Sequence, residues 1–158
     1  MTRVSAPIAC LLVLLGAAQA PGEDAPADNM QIVMEKAKAD KKLLVAQNMG
    51  LTESEAGGFW PVYDAYQQEL TRLDERLGAL IDRYAKEYNA GTLSDETAKE
   101  LIDENLAIDE AEVRMRKAYL EKLAGVLPAK KAARYLQIES KLRALLRYQL
   151  AAGVPLAE

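Results

Sequence analysis

Residues 59–84 read FWPVYDAYQQELTRLDERLGALIDRY, and their apolar spacing predicts one long helix. Its large apolar residues recur in alternating steps of four and three, which is the a/d pattern of a helix that packs along one side. A helix from Thr52 to about Asn89 would be about 55 Å long at 1.5 Å per residue, so it needs a partner along most of its length. We therefore predict a hairpin or dimer seam made of Phe59, Tyr63, Tyr66, Leu70, Leu73, Leu77, Leu80 and Tyr84.

The residues just before this seam predict where the long helix begins. In the motif Leu51-Thr52-x-x-Glu55, the Thr52 hydroxyl can accept a bond from a free backbone amide of the first turn. The Glu55 carboxylate, three positions on, can reach back to the amide of Thr52 and close a capping box. A preceding helix is expected over about residues 29–49, with Gly50 as its stop.

Two further helices are expected after the turn at Gly91. Ser94 can cap the third helix, which ends near Gly125. The motif Leu127-Pro128-x-x-Lys131 starts the fourth, because proline suits the first turn of a helix. This helix ends near Gly153, and residues 154–158 form a tail. No segment has the alternation of a strand, so the chain is predicted to be all-α, with four helices that include a long antiparallel hairpin and complete their core by homodimerisation.

The N-terminal residues are typical of a secretory signal peptide. Arg3 precedes an apolar run at residues 8–15 and then small residues. We expect residues 1–20 to be removed by cleavage near residue 18 or 20, and residues 21–28 to form a disordered leader. Residues 29–153 would then be a single helical domain of an exported protein.

Composition excludes several kinds of chemistry. The chain has no histidine, and its one cysteine, Cys10, lies in the segment that we expect to be removed. Triads that use Ser/His or Cys/His and the common zinc, copper and haem sites are thereby excluded. Without residues 1–20, 19 basic residues stand against 24 acidic ones, a net charge of about −5 that argues against general nucleic-acid binding. No cofactor or metal is expected.

Charge is distributed unevenly between the last two helices. Residues 94–112 contain eight acids and one base, whereas residues 128–147 contain six bases and one acid. These surfaces are either solvated, face each other within the fold or dimer, or dock an acidic partner or anionic membrane. If the last alternative holds, the partner-binding or client-binding residues are Lys130, Lys131 and Arg134. Trp60 lies off the seam and is a further candidate, as a side chain that faces a groove. The alternative is that Trp60 packs in the core.

The order of these helices and the two helix-start motifs resemble the Spy/CpxP group of exported bacterial proteins, which is named for two Leu-Thr-x-x-Gln motifs. Here Glu55 stands in place of the first glutamine, and Pro128 and Lys131 replace threonine and glutamine in the second motif. The resemblance covers roughly residues 30–150. It implies a periplasmic, cradle-shaped homodimer and, for some members, ATP-independent chaperone activity or a role in envelope stress.

The sequence therefore predicts a non-enzymatic periplasmic protein that binds unfolded or envelope proteins, without stable membrane insertion. The alternative is an adaptor that docks one envelope partner through its basic C-terminal helix. An enzyme built on paired carboxylates is the third class. The acids of this chain, however, lie at helical spacing among lysines and arginines, which is typical of a solvated helix face.

Overall fold

The structure, a computed structural model, describes residues 39–157. The predicted signal peptide, the leader and residues 29–38 of the predicted first helix lie outside the described residues. The chain divides into two compact units between Gly50 and Leu51. In the first unit, α1 is helical over residues 39–49, and its Val45 and Met49 side chains are fully buried.

The second unit consists of three long helices. They are α2 (Glu53–Ala90), α3 (Asp95–Ala124) and α4 (Ala129–Gly153). Residues 39–157 thus contain helices and no strand, which confirms the all-α prediction. The ends of α2 to α4 lie within about one residue of the ends predicted from caps and glycines.

Side-chain caps fix two of the helix starts. The amide of Glu55 donates to the Thr52 hydroxyl at 3.3 Å, and the amide of Thr52 donates to Glu55 Oε2 at 2.8 Å. At the start of α3, the amide of Thr97 donates to the Ser94 hydroxyl at 3.1 Å. Pro128 lies just before α4 rather than in its first turn, and it supplies no side-chain hydrogen bond.

α2 and α3 form a long antiparallel hairpin, and α4 packs against both. Cross-helix contacts join later positions of α2 to earlier positions of α3: Glu69 with Tyr119, Arg76 with Glu104, and Arg83 with Glu100. α4 runs antiparallel to α3 and parallel to α2, as shown by Arg143 with Glu112, Arg147 with Asp109, Lys131 with Glu55, and Tyr84 with Pro155. The bundle is therefore held by contacts distant in sequence.

The seam predicted on α2 packs within the chain along its first half. Phe59, Tyr63, Tyr66, Leu70 and Leu73 are buried. Their facing partners include Tyr119 of α3 and Tyr135 of α4, whose rings lie 5.2 and 5.6 Å from the ring of Tyr66. The later seam residues Leu77, Leu80 and Tyr84 are half-buried. The first half of the seam is thus hairpin and bundle core.

Two glycines offer opposite tests of the backbone of α2. Gly91 ends the helix at φ 66°, a left-handed conformation that strains a side chain, whereas Gly57 is helical and an added Cβ would meet nothing within 4 Å in the described structure. Gly91→Ala should lower the free energy of unfolding by about 1 kcal/mol. Gly57→Ala should raise it by about 0.5 to 1 kcal/mol. Urea denaturation of both variants measures the difference, and equal shifts would contradict the left-handed cap.

Candidate functional site

α3 presents apolar side chains on two faces. The inner face is buried in the bundle and includes Leu101, Ile108, Met115, Tyr119 and Leu123. The second face, which we call the α3 outer stripe, consists of Ile102, Leu106, Val113 and Leu120, whose exposed fractions lie between 43% and 55%. At 3.6 residues per turn these four side chains fall within about 40° of arc. They form one continuous line along the helix.

The wide apolar pattern of α3 is consistent with a helix that touches neighbours on two sides. Within the described residues, α2 and α4 cover only the inner side. Large apolar residues lined up on an exposed helix face are typical of a surface that meets a partner. The α3 outer stripe is therefore the leading candidate for a binding surface.

Charged side chains border the α3 outer stripe. Asp109, Glu110 and Arg114 surround Val113 in a shallow depression. The acids of α3 lie mainly before Val113, while Arg114, Arg116, Lys117 and Lys122 follow it. Of these bases, Arg116 binds Glu112 and Lys122 lies over the ring of Tyr119, so Arg114 and Lys117 are the bases that a partner on this face would meet after Val113.

Ion pairs join α3 and α4 inside the bundle. Arg143, only 6% exposed, donates from Nε to Glu112 Oε2 at 2.8 Å and from Nη1 to Asp74. Glu112, only 4% exposed, also accepts from Arg116 and, at 3.2 Å, from Arg147. We call these five residues the buried ion network, after Glu112 and Arg143, the two members that are buried. It brings the acidic segment of α3 against the basic segment of α4.

The buried ion network does not satisfy every donor that it buries. Within the described structure, Arg143 Nη2 and Arg116 Nε are buried without a hydrogen-bond partner. A buried guanidinium without all its partners is costly, so the remaining bonds to Glu112 and Asp74 carry much of the compensation. The periodicity of the sequence does not identify these charges as core residues. For Glu112, the signal that could have identified burial is its place on the buried face of α3, one turn after Ile108 and one turn before Met115.

A second buried carboxylate lies among tyrosines. Glu139 is 3% exposed and accepts from Gln67 Nε2 at 2.9 Å. Burial, and the nearby charge of Glu139, raise the pKa of Tyr66 to about 12. The same two causes raise the pKa of Tyr63 and Tyr135. These hydroxyls therefore stay protonated at neutral pH and serve as hydrogen-bonding core groups.

The predicted candidate Trp60 lies against the aromatic core. Its side chain is half-buried, with its ring 4.9 Å from that of Phe59 and 5.3 Å from that of Tyr63, both in edge-to-face geometry. Such pairs add stability beyond the area that they bury. The contacts that Trp60 makes are therefore those of a packing residue at the first turns of α2.

The structure separates the three basic candidates of α4. Lys130 and Arg134 are exposed, whereas Lys131 is half-buried and its ammonium lies 2.5 Å from Glu55 Oε2. The hydrogen bond from Lys131 lowers the pKa of Glu55, as does the bond from the Thr52 amide. The last residues of the two helix-start motifs thus bind each other, which is a structural use that the sequence did not predict.

The described residues 39–157 contain no group of three or more acidic, histidine or cysteine side chains placed to hold a metal ion. In the same residues, no helix is long and apolar enough to cross a membrane. Comparisons with protein-family models, with curated proteins and with solved structures found no match to the chain.

Proposed function

We propose that the protein is a non-enzymatic periplasmic helical protein that binds exposed segments of other proteins without ATP, as a chaperone does. The observation that supports this proposal is the α3 outer stripe, a line of four half-exposed apolar side chains that α2 and α4 leave uncovered. Membership of the Spy/CpxP group is part of the proposal. It rests on the two helix-start motifs, whose last residues Glu55 and Lys131 form an ion pair.

The α3 outer stripe suits weak and reversible contact. Burying a large aliphatic side chain completely contributes about 1.5 to 3 kcal/mol. Covering the exposed half of one stripe residue would therefore contribute about 1 kcal/mol to the free energy of binding. Apolar attraction has no directional requirement, so segments of different sequence can bind. The flanking charges add steering that depends on salt.

A paired substitution in the middle of the stripe tests this function. Leu106→Asp combined with Val113→Asp places two charges where a client segment would lie, so we expect the concentration needed for half-suppression of client aggregation to rise about tenfold. Light scattering after dilution of a chemically unfolded client, without nucleotide, measures the effect. Leu145→Asp on α4 is the matched control, since Leu145 is also 45% exposed, and it should leave suppression unchanged. No suppression by the unaltered protein at molar excess would contradict the proposal.

A second copy of the chain is the competing occupant of the stripe. In an antiparallel pair of α3 helices, the acids before Val113 in one copy would face Arg114 and Lys117 of the other. Sedimentation of the same variants separates the two occupants. A dimer that the double substitution converts into a monomer would assign the stripe to the expected homodimer and remove it as the client surface. A mass that does not change, together with lost suppression, supports client binding.

A further inference from the structure

The outward side of α4 carries bases and two exposed apolar residues on one face. Tyr148 is 74% exposed and Leu145 is 45% exposed. Together with Lys130, Arg134 and Lys141, which are also exposed, they form what we call the α4 outer face. At 3.6 residues per turn, the five residues lie within about 60° of arc.

The α4 outer face contains no acid of α4. Glu139 is the one acid in the segment Ala129–Gly153, and it is buried and accepts from Gln67. The remaining bases of the helix lie elsewhere, because Lys131 pairs with Glu55 while Arg143 and Arg147 pair with acids of α2 and α3. The helix thus has an inner side where bases meet carboxylates of α2 and α3, and an outer side that carries bases and no acid of α4 itself.

We infer that the α4 outer face lies on the surface of an anionic phospholipid bilayer. Lysine and arginine beside an anionic bilayer each strengthen partitioning about fivefold. A tyrosine places its ring at the level of the headgroups and keeps its hydroxyl in water, and a leucine beside it reaches the acyl boundary. Tyr148 and Leu145 lie in the second half of α4, after the lysines, so the apolar contact would be made towards the end of the helix.

The geometry favours a lipid surface over an acidic protein. A single helix face that carries bases beside a projecting tyrosine ring and a leucine presents charge and apolar contact together, as the interface of an anionic bilayer requires. This inference goes beyond the proposed function, because it concerns a different helix face and requires no client.

Vesicle binding tests the inference with charge-matched variants. The chain is expressed from its complete sequence, purified from the soluble fraction and centrifuged with vesicles of phosphatidylglycerol and phosphatidylethanolamine, or of phosphatidylcholine alone. We expect binding to the anionic vesicles only, and a loss of more than tenfold on combining Lys130→Glu with Lys141→Glu. The control combines Lys86→Glu on α2 with Lys117→Glu on α3, two exposed lysines whose reversal changes net charge equally. It should bind nearly as well as the unaltered protein.

A reporter at residue 148 makes the test specific to the position. In a Tyr148→Trp variant, anionic vesicles should shift the added emission to shorter wavelength, and phosphatidylcholine vesicles should not. Equal losses in the two charge-reversed variants, or no shift at residue 148, would overturn the inference. Binding to polyglutamate without binding to vesicles would assign the face to an acidic protein and overturn it as well. The variant that combines Leu106→Asp with Val113→Asp should bind vesicles as the unaltered protein does. Loss of vesicle binding and loss of client binding are therefore distinguishable.

Discussion

Replacing Glu112 with alanine should lower the free energy of unfolding by about 3 to 5 kcal/mol. The Glu112 carboxylate is 4% exposed and accepts from arginines on both α3 and α4. Its removal leaves Arg143, which is 6% exposed, with Asp74 as its remaining acidic partner among the described residues. A buried guanidinium that loses a carboxylate still bears the free-energy cost of its desolvation, but it no longer has the ion pair that offset this cost. Denaturation by urea, followed by far-UV circular dichroism, measures the change.

Glu110 provides the matched control on the same helix. It too pairs with an arginine four residues on, but Glu110 and Arg114 are 72% and 67% exposed. Exposed pairs of this spacing contribute at most about 0.5 kcal/mol. Glu110→Ala should therefore have almost no effect on the free energy of unfolding. Equal effects of the two substitutions would show that the contribution of the Glu112 ion pairs to the free energy of unfolding does not depend on burial of Glu112 between three helices.

The sequence was sufficient for the helices, because each helix is specified locally. Apolar steps of four and three identify α2, and Thr52, Ser94 and Gly91 supply the caps that limit α2 and α3. Those signals involve residues within one or two turns of each other. They consequently predict element type and bounds without any knowledge of the tertiary fold.

The candidate site was less predictable, because it depends on which helix faces meet. The sequence pattern makes both sides of α3 apolar, and only packing shows that Leu101 and Ile108 are covered while Ile102 and Leu106 are exposed. Lys131 shows the same limit. It was one of several candidates for partner binding, and the sequence did not indicate that its ammonium lies 2.5 Å from Glu55, a residue 76 positions away in the sequence.

Buried charges are the third feature that local patterns do not indicate. Arg143 and Glu139 sit on the same face of α4 as Ala132 and Tyr135, so the inner side of this helix alternates between apolar and charged residues. A helix with this pattern is ordinarily taken as half-solvated. The carboxylates and amides that make burial tolerable come from α2 and α3, and only the assembled bundle places them there.

Phe59→Ala is the second substitution with a large expected effect, a loss of about 3 to 5 kcal/mol in the free energy of unfolding. The Phe59 side chain is fully buried, and its ring packs edge-to-face on Trp60 of its own helix and on Tyr135 of α4, at 4.9 and 5.2 Å. Truncation removes both ring contacts and leaves a cavity where α2 and α4 meet. Thermal unfolding followed by circular dichroism measures the loss.

Two companion variants keep this prediction testable even if the alanine variant does not fold. Phe59→Leu retains apolar volume and loses the ring contacts, so its loss should be clearly smaller, about 1 to 2 kcal/mol. Tyr148→Ala removes an aromatic ring that is 74% exposed and should change the free energy of unfolding by less than about 0.5 kcal/mol. If Phe59→Leu were as damaging as Phe59→Ala, the shape of the aromatic cluster would matter more than the volume that it fills. If Phe59→Ala were as mild as Tyr148→Ala, the packing of α4 on the start of α2 would not depend on this ring.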